Sequence, residues 1–327
     1  MFHKKLEAHH VNINVVPFRR LYSPKNISYI KEYIVQGKYD VVHAHLFPAL
    51  YWTSLASKLI MTNKPKFVVT EHNTHNRRRD RSYLRPVERF IYSSYDKIIS
   101  ISSKTQDNII SWLRPRVCDL HKFVVIENGI DIDRFKNALP LKIEEICGKL
   151  ARNIRLVCMV GRFSEQKDQA TLIRAIAKCP PEVHLLLVGE GPLKQTCMDL
   201  ANELALGDRV HFLGFRQDVD RIYKTSDIVV LSSHWEGFGL VAAEGMAAGK
   251  PVIASDVPGL AEVVGGAGIL FQAGNSTELA SAINQLLYNR EKYLITSYEC
   301  LTRAKYYNIR TMAANLEILY REVLSGS

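Results

Sequence analysis

Two glutamates eight positions apart, in the segment Glu236-Gly-Phe-Gly-Leu-Val-Ala-Ala-Glu244, could do chemistry together. Residues 240–248 favour a helix, which Gly249 and Pro251 would end. The glycines before it would leave backbone N–H groups exposed at the helix start, where the helix dipole favours an anion such as a phosphate. Two hydroxyl-binding carboxylates beside an anion-binding helix end suit a nucleotide-sugar. The alternative is an ordinary loop with two surface glutamates.

Cationic and glycine-rich segments follow other predicted strands of the second half. Arg162 comes directly after Gly161 at a strand end, and Lys167 follows five residues later near a helix start. The planar guanidinium of Arg162 and the ammonium of Lys167 would together offset the charge of a diphosphate. Gly189 and Gly191 follow the next strand and would let the backbone approach a base or ribose. The alternative reading is a capping arginine and a surface lysine.

Short β-branched runs alternate with helical stretches along the chain, which predicts an α/β fold with parallel sheets. A segment without strand pattern, 137–153, predicts a linker between two domains, 1–140 and 141–308. The last helical stretch, 309–327, could cross back onto the first domain. The predicted strands are Val11–Pro17, Asp40–His43, Lys66–Thr70, Lys97–Ser100, Phe123–Ile126, Ile154–Val160, Val183–Val188, Arg209–Leu213, Asp227–Leu231, Pro251–Ala254 and Gly268–Phe271.

Glycine is concentrated in the second domain. Of the 18 glycines, Gly37 is the one that precedes position 129. Backbone that cradles a phosphate needs glycine for close approach. Nucleotide binding is therefore predicted in the second domain.

Positive charge is concentrated in the first domain, within a chain of net charge +10. The cluster Arg77-Arg78-Arg79, with Arg81, Arg85 and Arg89, contributes to this excess. It suits an anionic membrane surface or a phosphate-bearing acceptor, and a solvated basic face is the alternative. No zinc, helix-turn-helix or RNA-recognition pattern accompanies the charge, which argues against nucleic acid as a partner.

Cysteine use and hydropathy point to the cytoplasm. The six cysteines form no C-x-x-C pair, which predicts reduced thiols. No apolar run approaches the roughly 20 residues of a membrane span, and residues 1–5 lack the apolar core of a signal peptide. We therefore expect a cytoplasmic protein, with the basic domain allowing peripheral attachment to the inner face of the membrane.

The second-half motifs occur in order over residues 155–290, and the chain resembles the retaining glycosyltransferases of family 4, with the two-domain GT-B fold. The resemblance implies two Rossmann-like domains that face each other across a cleft. It implies that Glu236 contacts the donor sugar and Glu244 the ribose, while Arg162 and Lys167 hold the diphosphate. The turn and loop residues of the implied donor site are Gly237, Phe238, Gly239, Leu240, Gly189 and Gly191.

The first half shares looser motifs with the same family, over residues 38–136. His72, in Val69-Thr-Glu-His72, matches the position beside the reacting sugar carbon and is a catalytic candidate. His43 and His45 alternate on a predicted strand, so we expect at most one to face the cleft, and we favour His45. Asn73 begins a polar loop, continued by His75 and Asn76, that could contact the acceptor.

Two features depart from the family pattern. Residues 1–10 alone precede the first predicted strand, so either the true start lies upstream or the amino-terminal domain is incomplete. Asp131-Ile-Asp133 imitates the D-x-D metal motif of another transferase fold, yet it follows Asn128-Gly129 at the domain border. We predict no metal and no other cofactor.

The predicted function is transfer of a sugar from a nucleoside diphosphate sugar to a hydroxyl, with the anomeric configuration retained. The resemblance favours a lipid-linked or polysaccharide acceptor in polysaccharide biosynthesis. A nucleotide-sugar epimerase and a non-catalytic nucleotide-binding remnant are the alternatives. A nicotinamide-dependent dehydrogenase is poorly supported, because no G-x-G-x-x-G follows the first strand of either domain.

Overall fold

The protein is described by a computed structural model that covers residues 6, 10–16, 20–74, 77–147 and 154–326, without the side chains of positions 77 and 147. The described residues form two parallel sheets, one on either side of position 140. Both sheets are flanked by helices, as expected for α/β domains whose strands are buried on both faces.

Within the described residues, the first sheet has four strands in the order β1-β2-β3-β4. Their bounds are Val41–His45 (β1), Lys66–Glu71 (β2), Lys97–Ser100 (β3) and Phe123–Val125 (β4). The helices are Lys25–Gly37 (α1), Ala49–Lys58 (α2), Arg85–Tyr92 (α3) and Ser103–Leu113 (α4), with 3₁₀ turns at Arg77–Asp80, Ser82–Leu84 and Val117–Lys122. Because all four strands are parallel, their carboxyl ends meet at one edge of the sheet.

The second sheet has six strands in the order β10-β9-β8-β5-β6-β7. They are Arg155–Val160 (β5), Val183–Val188 (β6), Val210–Gly214 (β7), Ile228–Leu231 (β8), Val252–Ser255 (β9) and Ile269–Phe271 (β10). The strand order reverses between β5 and β8, and ligands of such sheets bind at the carboxyl ends near this point. The helices are Ile132–Lys136 (α5), Ile143–Cys147 (α6), Gln169–Ile176 (α7), Lys194–Glu203 (α8), Val219–Thr225 (α9), Leu240–Ala247 (α10), Leu260–Val264 (α11), Ser276–Tyr288 (α12) and Arg290–Ala304 (α13).

The last helix, Ile309–Ser325 (α14), lies on the first sheet rather than the second. Its buried residues Leu319 and Val323 share an apolar cluster with three residues of the first domain, Val68, Ile99 and Ile126. The chain therefore passes between the domains twice.

The two chain segments that connect the domains, at Ile130 and at Tyr307–Ile309, are joined by backbone hydrogen bonds. The Ile130 N–H donates to the Tyr307 carbonyl at 2.8 Å, and the Ile309 N–H donates to the Ile130 carbonyl at 2.9 Å. A Cβ at Gly129 would lie 2.5 Å from the Ile309 Cα, so a glycine is needed where the crossings touch.

The predicted strand Val11–Pro17 is wrong. Residues 11–16 have no strand structure, Pro17 lies outside the described residues, and Val11 and Val15 are exposed. A strand needs a neighbour for its backbone hydrogen bonds, and within the described residues β1 pairs with β2 alone. The alternating β-branched residues of this segment favour an extended backbone, but they do not show whether a partner strand is present.

Some arginines of the basic cluster in the first domain are held in ion pairs and hydrogen bonds inside the domain, so they are not available to contact a membrane surface. The Arg79 guanidinium contacts Glu71 at 2.7 Å and Glu88 at 3.8 Å, and its side chain is 8% exposed. The Arg78 guanidinium lies 3.2 Å from the same Glu88. Arg89 donates to the Arg114 carbonyl just past the end of α4. These arginines offset buried carboxylates and helix-end carbonyls.

No helix among the described residues is both long enough and apolar enough to cross a bilayer.

The buried ion network gives a stability prediction. We expect Glu88→Ala to lower the free energy of unfolding by about 3 to 5 kcal/mol, because it removes the carboxylate that Arg78 and Arg79 share and leaves Glu71 alone to offset the buried Arg79 charge. Glu88 is fully buried and also accepts a hydrogen bond from the Trp112 indole at 3.0 Å. Urea denaturation of the variant and the wild type measures the change.

Glu317→Ala is the matched control, because Glu317 forms an exposed ion pair with Arg321 at 2.6 Å. We expect it to remain within about 0.5 kcal/mol of the wild type. Equal losses in both variants would contradict the structural role of the buried network.

Candidate active site

The two domains touch where a loop after β2 meets the turn before α10. The Thr74 hydroxyl lies 3.2 Å from the carbonyl oxygens of Glu236 and Gly237. The Asn108 side-chain amide donates to the Thr74 carbonyl at 2.9 Å, which fixes the loop from the first-domain side. A Cβ at Gly237 would lie 2.8 Å from the His72 carbonyl oxygen, so glycine permits this approach of the two backbones.

Glu236 and Lys167, predicted separately from the sequence, form an ion pair at this junction. The Lys167 ammonium donates to the Glu236 carboxylate, and the Ser233 hydroxyl donates to the same oxygen at 3.0 Å. Their side chains are only 17% and 10% exposed. The pair places a cation and a carboxylate side by side at the carboxyl edge of the second sheet.

The predicted glycines after β5 and β6 pack against each other. Gly189 has a φ of +140°, and a Cβ there would lie 2.1 Å from the Gly161 carbonyl oxygen. A Cβ at Gly191 would lie 2.3 Å from the Phe163 carbonyl oxygen. These glycines therefore let two loops approach each other at the sheet edge. Arg162, on the first of these loops, is exposed.

The turn before α10 contains a glycine at the helix start and a phenylalanine that packs into the core. Gly239 has a φ of +78° and precedes Leu240, the first residue of a helix whose start lacks a side-chain cap. The uncapped N–H groups match the predicted anion-binding helix end. Phe238 does not match a donor contact through its ring, because the ring is buried and packs edge-on against Tyr307 at 5.2 Å. Phe238 instead anchors the turn to the core.

Glu244 lies one turn inside α10, as predicted, in a largely enclosed position. Burial raises its pKa to about 7, against the lowering effects of the Tyr223 hydrogen bond and the nearby Arg134 charge. The Tyr223 hydroxyl donates to the carboxylate at 3.2 Å. Arg134 is held by Asp220 at 2.8 Å and by the Gln217 carbonyl at 2.9 Å. The sequence analysis missed Tyr223 and Arg134, which belong to no recognised motif.

Three histidines cluster at the carboxyl edge of the first sheet. The His45 Nδ1 atom lies 3.0 Å from the His72 Nε2 atom. His43 lies beside them, with its ring centroid 4.1 Å from that of His45. His43 and His45 share one face of β1, as alternate residues of a strand do, and His45 is the more exposed of the two.

The surroundings keep these histidines neutral at pH 7. Burial, with the neighbouring His45 and His72, lowers the pKa of His43 to about 3. Burial also lowers the pKa of His45 and of His72. The His43 Nδ1 atom lies 2.6 Å from the Tyr320 hydroxyl of α14, and its Nε2 atom lies 2.7 Å from the Thr70 hydroxyl. The crossing helix therefore contributes to this edge of the cleft.

The remaining predicted polar residues have varied positions. Asn73 is exposed, and its backbone N–H lies 3.4 Å from the Glu71 carboxylate. His75 and Asn76 lie outside the described residues. Asp131 caps α5 by accepting from the Arg134 N–H at 3.1 Å, and Asp133 pairs with Arg310 at 3.5 Å. Among the described residues, no three His, Cys, Asp or Glu side chains are grouped to hold a metal ion.

Two family models match consecutive parts of the chain. The model for glycosyltransferase family 4 matches residues 3–134, and the model for glycosyl transferases group 1 matches residues 146–299. The chain belongs to glycosyltransferase family 4.

Relatives of this glycosyltransferase carry transferase names. A Bacillus subtilis protein named as a glycosyltransferase, EpsD, is 28% identical over 293 residues, which cover 84% of this chain and 76% of the relative. A D-inositol 3-phosphate glycosyltransferase of Mycobacterium sp. is 30% identical over 272 residues, 77% of this chain and 60% of the relative. The matched part thus spans about three fifths of the second relative's length.

Solved structures share the GT-B architecture of the glycosyltransferase. Anabaena Alr3699/HepE, solved in complex with UDP-glucose, is 26% identical and aligns over 100% of this chain and 89% of that one, with a TM-score of 0.82. The same Anabaena protein has been solved with UDP alone.

Glu244 gives a prediction with a defined sign. Its folded-state pKa of about 7 lies above the ordinary value of 4.5, so folding favours the protonated carboxyl. The wild type therefore loses stability as pH rises from about 5 to 8, relative to a Glu244→Gln variant that does not titrate, by about 2 to 3 kcal/mol. Urea unfolding of both proteins at pH 5 and pH 8 measures the difference.

The exposed Glu322→Gln substitution is the control for a general effect of charge. We expect its stability difference from the wild type to be the same at both pH values. A Glu244→Gln difference that is equally independent of pH would mean that burial does not raise the carboxyl pKa.

Proposed function

We propose that this glycosyltransferase moves a sugar from a UDP-sugar to a hydroxyl group, with retention of the anomeric configuration. The observation that carries the proposal is the Lys167–Glu236 pair beside the uncapped start of α10. It combines a phosphate-binding cation, a hydroxyl-binding carboxylate and an anion-binding helix end in one place. The UDP and UDP-glucose complexes of the similar Anabaena protein support uridine as the base.

The diphosphate is the part of the donor that needs positive charge. Lys167 and Arg162 offset its charge, together with the N–H groups at the start of α10. Stabilising the leaving group in this way lowers the barrier, because negative charge grows on the diphosphate as the sugar bond breaks. Arg162 is exposed at the sheet edge, where a diphosphate can reach it.

The two glutamates bind hydroxyl groups. Glu236 accepts from the donor sugar, and Glu244 accepts from the ribose. Glu244 becomes a better acceptor when it ionises, and its pKa of about 7 places that change near physiological pH. Gly189 and Gly191 line the same sheet edge as backbone contacts for the nucleoside.

His72 acts as a neutral hydrogen-bonding group beside the reacting carbon. Its lowered pKa keeps it uncharged at pH 7, so it does not serve there as a cationic acid. The acceptor oxygen forms its bond on the face that the diphosphate leaves, and a leaving phosphate oxygen takes the acceptor proton. His45, within 3.0 Å of His72, helps to orient the ring, and Asn73 lies on the acceptor side.

The acceptor is a hydroxyl of a lipid-linked or polysaccharide intermediate. The basic first domain favours attachment at the cytoplasmic face of an anionic membrane. There the Arg81 guanidinium donates to the hydroxyl of the exposed Tyr83 at 3.2 Å. Transfer needs no metal ion, because Lys167 and Arg162 provide the charge that a metal would otherwise supply.

Donor binding can be tested by calorimetry with UDP. We expect Lys167→Ala and Arg162→Ala each to weaken UDP binding by about 10- to 100-fold, because each loses a charge-assisted contact. Lys178→Ala is the control, since Lys178 is an exposed lysine of the same domain that bonds to Ser276 at 3.0 Å. Unchanged affinity in both site variants would contradict the diphosphate assignment.

Turnover distinguishes the transferase from its rivals. We expect Glu236→Gln to keep UDP binding and to lose at least about 100-fold in transfer rate, because its role lies at the sugar. Isomerisation of the donor without any acceptor would indicate an epimerase. UDP binding without turnover across acceptors would indicate a non-catalytic protein. Activity that disappears with EDTA would contradict the metal-free mechanism.

A further inference from the structure

A cavity of about 300 Å³ lies between the domains, on the side of Glu236 that faces the first domain. Its walls come from both domains. The lining residues are Asn73, Thr74, Lys104, Asn108, Gln166, Trp235, Glu236, Gly237 and Pro258. Because Glu236 is shared with the donor site, whatever occupies the cavity lies next to the donor sugar.

Hydrogen bonds to the backbone hold the cavity walls in place. Gln166 donates from its side-chain amide to the Trp235 carbonyl at 3.0 Å, and its own carbonyl accepts from the His234 N–H at 2.8 Å. Asn108 fixes Thr74 in the same way on the opposite wall. The shape of the cavity at the junction between the domains is therefore fixed by these hydrogen bonds.

The lining suits a hydroxylated ring. Trp235 is 48% exposed and offers a flat apolar face. Asn73 and Asn108 bring amide groups, which can donate to and accept from hydroxyls. A flat aromatic face bordered by amides matches a sugar or polyol, which has apolar C–H faces and a polar rim.

Lys104 indicates that the molecule bound in the cavity carries a negative charge. Among the described residues, Lys104 is the one basic residue of the lining, it is exposed, and its ammonium has no ion-pair partner. It lies in the first turn of α4, where a cation opposes the helix dipole and lowers helix stability. An anion in the cavity would be attracted by the Lys104 ammonium.

We propose that this cavity is the acceptor subsite and that it takes a hydroxylated ring carrying a phosphate or a carboxylate. The proposal rests on the proposed function, because it uses Glu236 as the donor-side neighbour. Lys104 binds the anionic group, Trp235 stacks on the ring, and the amides bind ring hydroxyls. The cavity then selects anionic acceptors over neutral ones.

The test uses ligand-observed NMR on the UDP-bound protein, with glucose 6-phosphate, glucuronate, glucose and inorganic phosphate as separate probes. We expect glucose 6-phosphate or glucuronate to bind better than glucose or phosphate alone, and the better of the two identifies the anionic group. We expect Lys104→Gln to weaken the anionic sugars about tenfold and to leave glucose unchanged. Lys104→Arg should restore the preference.

Further variants separate a specific site from general charge. Trp235→Ala should weaken all three sugars, Trp235→Phe should retain part of the binding, and Lys178→Gln should change nothing. The proposal is overturned if no sugar binds, if phosphate alone binds as well as glucose 6-phosphate, or if excess UDP displaces the sugars. A wild type that fails to bind UDP at all would instead overturn the proposed function.

Discussion

The contact between the Thr74 loop and the Glu236–Gly237 turn is the interaction on which the rest of the site depends. The first domain holds the backbone of Glu236 through Thr74, while the second domain holds its side chain through Lys167 and Ser233. A side chain at position 237 would collide with the His72 carbonyl, so glycine makes the contact possible. A residue fixed from both domains has a defined position only when they are together.

Burial also sets the charges in the cleft. Burial lowers the pKa values of His43, His45 and His72 and raises that of Glu244. In contrast, Glu236 has a lysine partner that offsets the cost of burying its charge. The cleft therefore combines neutral hydrogen-bonding groups on the first-domain side with a compensated ion pair on the second. Such a division suits a reaction in which negative charge develops on one side only.

The sequence predicted the strands well because buried parallel strands are continuous apolar runs with clear ends. It placed Arg162 and Lys167 at the correct sheet edge for the same reason. It failed at Val11–Pro17, where alternation gave no information about a pairing partner. It did not predict the pairing of Lys167 with Glu236, 69 positions apart, because motif positions fix a sheet edge but not side-chain contacts. Thr74 and Trp235 escaped notice because an isolated polar or aromatic residue gives no periodic signal.

The paired crossings at Ile130 and Tyr307–Ile309 have a mechanical consequence. Two chain segments joined side by side by hydrogen bonds act as a ribbon rather than as a single flexible thread. Such a ribbon would bend more easily across its flat face than it would twist. We therefore expect any relative movement of the domains to be a bend about one axis rather than a twist, which would keep Thr74 aligned with the glycine turn.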